Sequence, residues 1–169
     1  MLRIAAMLGV ALAASPVAAL DLPPRKPGLW DIRMTVEGRA MPAMNAQHCL
    51  DPETDKLLGI MGSESLRGSC SKNEMQKVGD TYVIDAVCKF GPVNTTTKSV
   101  VTGSFDSAYQ VKVSTQSEGG PGPGKSEMTI DARWSGPCAA GQKPGDIVMG
   151  TGMKMNVRDL QKLQGMLPK

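Results

Sequence analysis

Thr81-Tyr82-Val83-Ile84-Asp85-Ala86-Val87-Cys88-Lys89-Phe90 puts Tyr82, Ile84, Ala86, Cys88 and Phe90 on one parity and Thr81, Val83, Asp85, Val87 and Lys89 on the other. Alternation of period two is what a half-buried antiparallel strand requires, because successive side chains point to opposite faces. The rhythm returns downstream. Tyr109, Val111 and Val113 alternate with Gln110, Lys112 and Ser114, and Met128, Ile130, Ala132 and Trp134 alternate with Glu127, Thr129, Asp131 and Arg133. It is cleanest upstream, where Trp30, Ile32, Met34 and Val36 oppose Asp31, Arg33, Thr35 and Glu37 after an opening Gly28.

Working outward, Val78-Gly79-Asp80-Thr81 is a turn signal, and a two-residue hairpin there sets Met75 opposite Ile84. Strands are expected over 45–50, over the hairpin 71–89, and near 95–105, 108–115 and 126–134. The run from Glu118 to Gly124 alternates glycine with proline and reads as a mobile surface loop. Asp51-Pro52-Glu53-Thr54 is a helix start: Asp51 caps, Pro52 suits the first position and Glu53 complements the dipole. Leu57, Leu58 and Met61 give that helix its apolar side, Gly62 is its expected stop, and 63–69 is expected to be loop. Asn156 caps a second short helix that ends at Gly165 and docks through Val157, Leu160 and Leu163. Consecutive strands with one apolar face must pack or curl. The expected fold is therefore mainly β: an antiparallel up-and-down meander forming a barrel or half-barrel, with two short helices. A two-sheet sandwich is the alternative.

Residues 1–19 read as a secretory signal peptide. Arg3 supplies the positive start, Ile4 to Ala14 the short apolar run, and Val17-Ala18-Ala19 the cleavage site. The run is too short for a hydrocarbon core of about 30 Å. Cleavage leaves one domain of about 150 residues, 20–169, periplasmic and without a membrane span. The whole chain carries a formal charge of +3, of which Arg3 is one unit, and its basic and acidic residues are interspersed. No electrostatic footprint for nucleic acid follows from that distribution.

Four cysteines in an exported chain imply two disulfides with three possible pairings. The hairpin register sets Cys88 opposite Ser71, one residue short of Cys70, and a bulge or a three-residue loop closes the gap. Cys70–Cys88 is the first pairing, and Cys49–Cys138 follows by elimination. The latter ties the start of the fold to its end. A cysteine metal site is disfavoured because no Cys-x-x-Cys is present.

The order Pro27-Gly28-Leu29-Trp30, Met41-Pro42-Ala43-Met44, Cys49-Leu50-Asp51-Pro52-Glu53, Cys70, the Gly-Asp hairpin to Cys88, and Ser135-Gly136-Pro137-Cys138 resembles the family called domain of unknown function 3617. The resemblance covers nearly all of the mature chain. It implies a small exported bacterial β protein with paired cysteines, and no catalytic residues to carry over. Asp51 stands where that family has Thr or Ser before the proline, and it caps equally well.

Three kinds of chemistry are open to these residues. Catalysis would have to use His48, the one histidine, or paired carboxylates on the polar strand faces. No nucleophile elbow or phosphate-binding glycine loop accompanies them. A non-enzymatic protein without a cofactor is the expectation, with a hydrolase the remote alternative. Methionine is the compositional oddity, at twelve residues including Met1 and Met7. Met41 and Met44 near His48, and the group Met149, Met153 and Met155, could supply thioethers to Cu(I); packing of an irregular core is the plainer use. Finally, two Trp, two Tyr and two Phe are few for so many strands, which leaves room inside. Small barrels are either filled or hold a ligand. Trp30, Ile32, Met34, Ile84, Val111, Ile130 and Trp134 would line a site for a small apolar ligand. An envelope protein is the other partner considered.

Overall fold

The computed structural model describes residues 21–38, 41–66, 68–120 and 124–166, so the signal peptide expected over 1–19 lies outside it. Alternation sends Trp30 and Ile32 of β1 (Gly28–Val36) to the buried side and Asp31 and Arg33 to solvent. β2 (Met44–Leu50) pairs antiparallel with β1 and buries Ala46, Cys49 and Leu50. Helix α1 (Pro52–Leu66) crosses over to a five-strand meander: β3 (Cys70–Val78), β4 (Thr81–Phe90), β5 (Val93–Ser104), β6 (Ala108–Glu118) and β7 (Lys125–Gly136). Two short strands, β8 (Asp146–Met149) and β9 (Lys154–Asn156), precede helix α2 (Val157–Met166).

All nine strands form one antiparallel sheet in the order β3-β4-β5-β6-β7-β1-β2-β8-β9. The N-terminal hairpin is thus inserted between the meander and the C-terminal strands. Among the described residues nothing joins the edges β3 and β9, so the sheet stays open, as a half-barrel. Closure would have to run along β9, which has three residues and offers too short a ladder.

The hairpin turns at Gly79-Asp80, with Gly79 at φ +60°, and sets Met75 opposite Ile84. A register shift at Ser71 brings Cys70 opposite Cys88. The sulfurs pair as Cys70–Cys88 and Cys49–Cys138, leaving no cysteine free. Where β1 meets β7, Gly28 has φ +129°, and a Cβ there would run into the Gly136 carbonyl and the Trp134 indole. Only glycine fits that approach.

Asp51 begins α1 as expected. Its Oδ1 accepts from the Thr54 amide at 2.7 Å, and its own amide donates to Thr54 Oγ1 at 3.0 Å, a reciprocal capping box. The helix does not stop at Gly62, nor is 63–69 a loop. It continues to Leu66, because one interior glycine costs only about 1 kcal/mol relative to alanine and Ser63-Glu64-Ser65 contains no proline. The side chain of Met61 lies outside the described residues. Asn156 caps α2, accepting from the Arg158 amide at 3.0 Å, and the helix passes Gly165 by one residue. Val157 is fully buried and Leu160 partly so, but Leu163 is 61 % exposed and does not dock. Docking falls instead to the helix start. There Val157 donates to the Gly145 carbonyl at 2.9 Å, the Gly145 amide donates to the Cys49 carbonyl at 2.8 Å, and Arg158 Nη2 reaches Glu53 at 2.9 Å.

The core cluster is Trp30, Ile32, Ala46, Leu50 and Ala132, with Met34, Leu58, Tyr109, Ile130, Trp134 and Met149 packed on it. Each fully buried Leu- or Ile-sized side chain there contributes roughly 1.5–3 kcal/mol. No helix among the described residues is long and apolar enough to cross a membrane.

Candidate functional site

The proline-containing segment before β1 is fastened to the sheet by both tryptophans. Trp30 Nε1 donates to the Lys26 carbonyl at 2.8 Å and Trp134 Nε1 to the Pro27 carbonyl at 3.0 Å. The Lys26 amide donates to the Phe105 carbonyl at 2.8 Å, and its ammonium sits 3.6 Å from the centroid of the Trp134 ring. One residue earlier, Arg25 closes on α1: its amide and Nε donate to the Asp55 carboxylate at 2.9 and 2.6 Å. Its Nη1 reaches the Tyr109 hydroxyl at 3.4 Å.

This strap, α1 and the inner face of the sheet enclose a cleft of about 760 Å³. Leu22, Pro23 and Pro24 bound it on the strap side, Leu58 and Gly59 on α1, and Met75, Val101, Phe105 and Val111 on the sheet. Arg25, Asp55, Lys56 and Tyr109 form its polar end. An aromatic ladder supports the floor. Tyr82 meets Phe105 edge-on at 6.2 Å, Phe105 stacks on Tyr109 at 4.9 Å, and Tyr109 tilts against Trp30 at 5.4 Å. Such volume lies within the roughly 300–1,000 Å³ of small-molecule sites, and a mostly apolar wall with a few polar groups is their usual chemistry.

The expected lining residues divide between core and cleft. Val111 lines the cleft. Trp30 and Ile32 belong to the core cluster, with Met34, Ile130 and Trp134 packed on it. Ile84, opposite Met75 on β4, is partly buried. Leu58 is expected on the apolar side of α1, but nothing in the sequence marks Phe105, Arg25 or Asp55 as lining a site. Phe105 lies in the turn just after β5, and Arg25 and Asp55 come together only through a contact thirty residues apart in the chain. No local pattern carries that information.

His48 lies on the inner face, opposite Trp30 on one side and Ile147 on the other. Its Nδ1 is the one buried side-chain nitrogen or oxygen without a hydrogen-bond partner among the described residues. Burial, and then the positive field of Arg25, lower its pKa from 6.5 to about 4. An imidazole so placed is neutral at physiological pH. The four strand steps from Met44 to His48 span about 13 Å, so the sheet does not bring the two together. Met41 precedes β2 and is half exposed. Among the described residues no three His, Cys, Asp or Glu side chains gather as a metal site.

A second concavity, a groove of about 970 Å³, crosses the polar face. Asp31 and Arg33 of β1 stand opposite Arg133 and Asp131 of β7, flanked by Gln47 and Gln110, which donate to Asp31 at 2.8 Å and Asp131 at 2.7 Å. The charges balance within the groove.

No curated protein and no solved structure matches the chain. A family model described as a protein of unknown function matches residues 25–138, about two thirds of the sequence, from the arginine of the strap to the second cysteine of the long-range disulfide. The chain therefore belongs to the DUF3617 family.

Proposed function

We propose that this is a periplasmic, non-enzymatic protein, exported by a signal peptide over residues 1–19, that binds a small apolar ligand in the cleft beneath α1. The cleft carries the reading: its volume of about 760 Å³ and its wall of Leu58, Met75, Val101, Phe105 and Val111 suit an apolar molecule. Two disulfides fit an oxidising compartment, which supports export. Among the described residues His48 Nδ1 has no hydrogen-bond partner, so no carboxylate there orients the ring as a general base.

The uncharged fluorophore N-phenyl-1-naphthylamine tests this. Saturable, one-to-one binding to the mature protein is expected. Val111→Trp, which fills the cleft from β6, should weaken it at least tenfold while the far-ultraviolet circular dichroism stays unchanged. Absence of saturable binding, or equal binding by Val111→Trp, overturns the reading. Native mass spectrometry of protein taken from a periplasm identifies the natural occupant as mass lost on denaturation.

A further inference from the structure

Met34, Met44, Met149 and Met153, scattered in sequence, come to one corner of the sheet, and none of the four lines the cleft. Met34 of β1 and Met44 of β2 are directly opposed in the antiparallel register and so share a face, with Cα atoms about 4.5–5.5 Å apart. Met149 of β8 is paired with Ala46, two residues along β2 from Met44, which makes Met149 a diagonal neighbour of Met44 at roughly 7–8 Å. Side chains of Met34 and Met149 both pack against the cluster that contains Ala46 and Ile32, which confirms that they lie on the inner face. Alanine at position 46 leaves the space between them low. Met153 stands across the β8–β9 turn, its carbonyl accepting from the Met149 amide at 2.8 Å.

We infer that Met34, Met44 and Met149 form a thioether site for Cu(I), with Met153 positioned as a fourth ligand. Thioethers are soft, neutral donors, matched to a soft monovalent cation and ill suited to Mg²⁺, Ca²⁺ or Zn²⁺. The competing soft donors are removed, because all four cysteines are tied up as disulfides. Access is provided on one side only: Met44 is 44 % exposed and Met153 58 %, whereas Met34 and Met149 are partly buried. Core packing accounts for the second pair and leaves the exposure of the first unexplained. Met44 is the centre of the set. Neither Met41, in the connection before β2, nor His48, four residue pairs further along the strand, belongs to it.

The test is anaerobic titration of the mature, disulfide-intact protein with Cu(I), held reduced by ascorbate, in competition with bicinchoninate. One Cu(I) per chain is expected, with only sulfur neighbours in X-ray absorption. Met34→Leu, Met44→Leu and Met149→Leu nearly conserve volume. Each should weaken retention at least tenfold, the triple variant should retain none, and circular dichroism should remain unchanged. Met41→Leu and His48→Gln should bind as the parent does. Failure of the parent to compete for Cu(I), full retention by the triple variant, or loss in Met41→Leu would each overturn the assignment. Should the triple variant unfold, Met44→Leu alone decides, since its side chain is exposed.

Discussion

His48 is a neutral base kept out of water, and that placement has a measurable cost in acid. The fold lowers its pKa from 6.5 to about 4, so as pH falls below 6.5 the unfolded chain takes up this proton before the folded one does. Stability is therefore full above 6.5 and drains until about pH 4, by roughly 3 kcal/mol in total. Urea midpoints recorded across that window should fall in the parent and stay nearly level in His48→Gln. Asp51 and Asp146 work in a different range. Burial alone would raise both carboxyls, but the Thr54 hydrogen bonds and Arg158 outweigh it at Asp51. At Asp146 the opposing groups are Lys154, Asn156 and the Lys143 amide. Both pKa values consequently lie below 3.8, and the stability these groups contribute is lost only as pH falls beneath that value.

At the scale of the element, α1 is held at its first turn. Asp51→Ala removes the cap from the Thr54 amide and the anion facing Arg158, and should cost about 0.5–2 kcal/mol in urea unfolding. Asp51→Ser should recover most of it. The start of this helix is legible because capping chemistry is local. Its end is not, because a glycine such as Gly62 has the same local signature whether it terminates a helix or, as here, is borne as a weak interior residue. The strands follow the same division. Alternation and turn residues locate β1 and the meander to within a few residues, and the Met75–Ile84 register even foretells the bulge at Ser71. β8 and β9, with four and three residues, are shorter than any period can establish, and they lie hidden in a Gly/Pro-containing connection.

For the whole molecule, the open sheet and its long staple are complementary. Cys49–Cys138 spans 89 residues and ties the end of β2 to the segment leaving β7. Replacing both cysteines with serine should lower the unfolding free energy by about 2–5 kcal/mol, measured against the parent in urea. The same loss should appear on selective reduction of that bond. Tertiary information of this kind limits what a sequence discloses: nearest-neighbour hairpins are written locally, but the pairing of β1 with β7 is not. The candidate site suffers most. Its sheet wall could be sensed in the alternation at Val111, whereas the Arg25–Asp55 closure exists only after folding.

Insertion of β1 between β2 and β7 also sets an order of events in time. A ribosome delivers the chain from its amino end. The hairpin of β1 and β2 is complete by Leu50, yet one neighbour, β7, begins at Lys125 and the other, β8, at Asp146. Until those residues emerge, both flanks of the hairpin present unpaired backbone beside Trp30 and Ile32. Such contacts are distant in sequence, and their loop-closure entropy slows assembly. Throughout that interval the chain carries a hairpin with both edges open, and its central strands are the last to be secured.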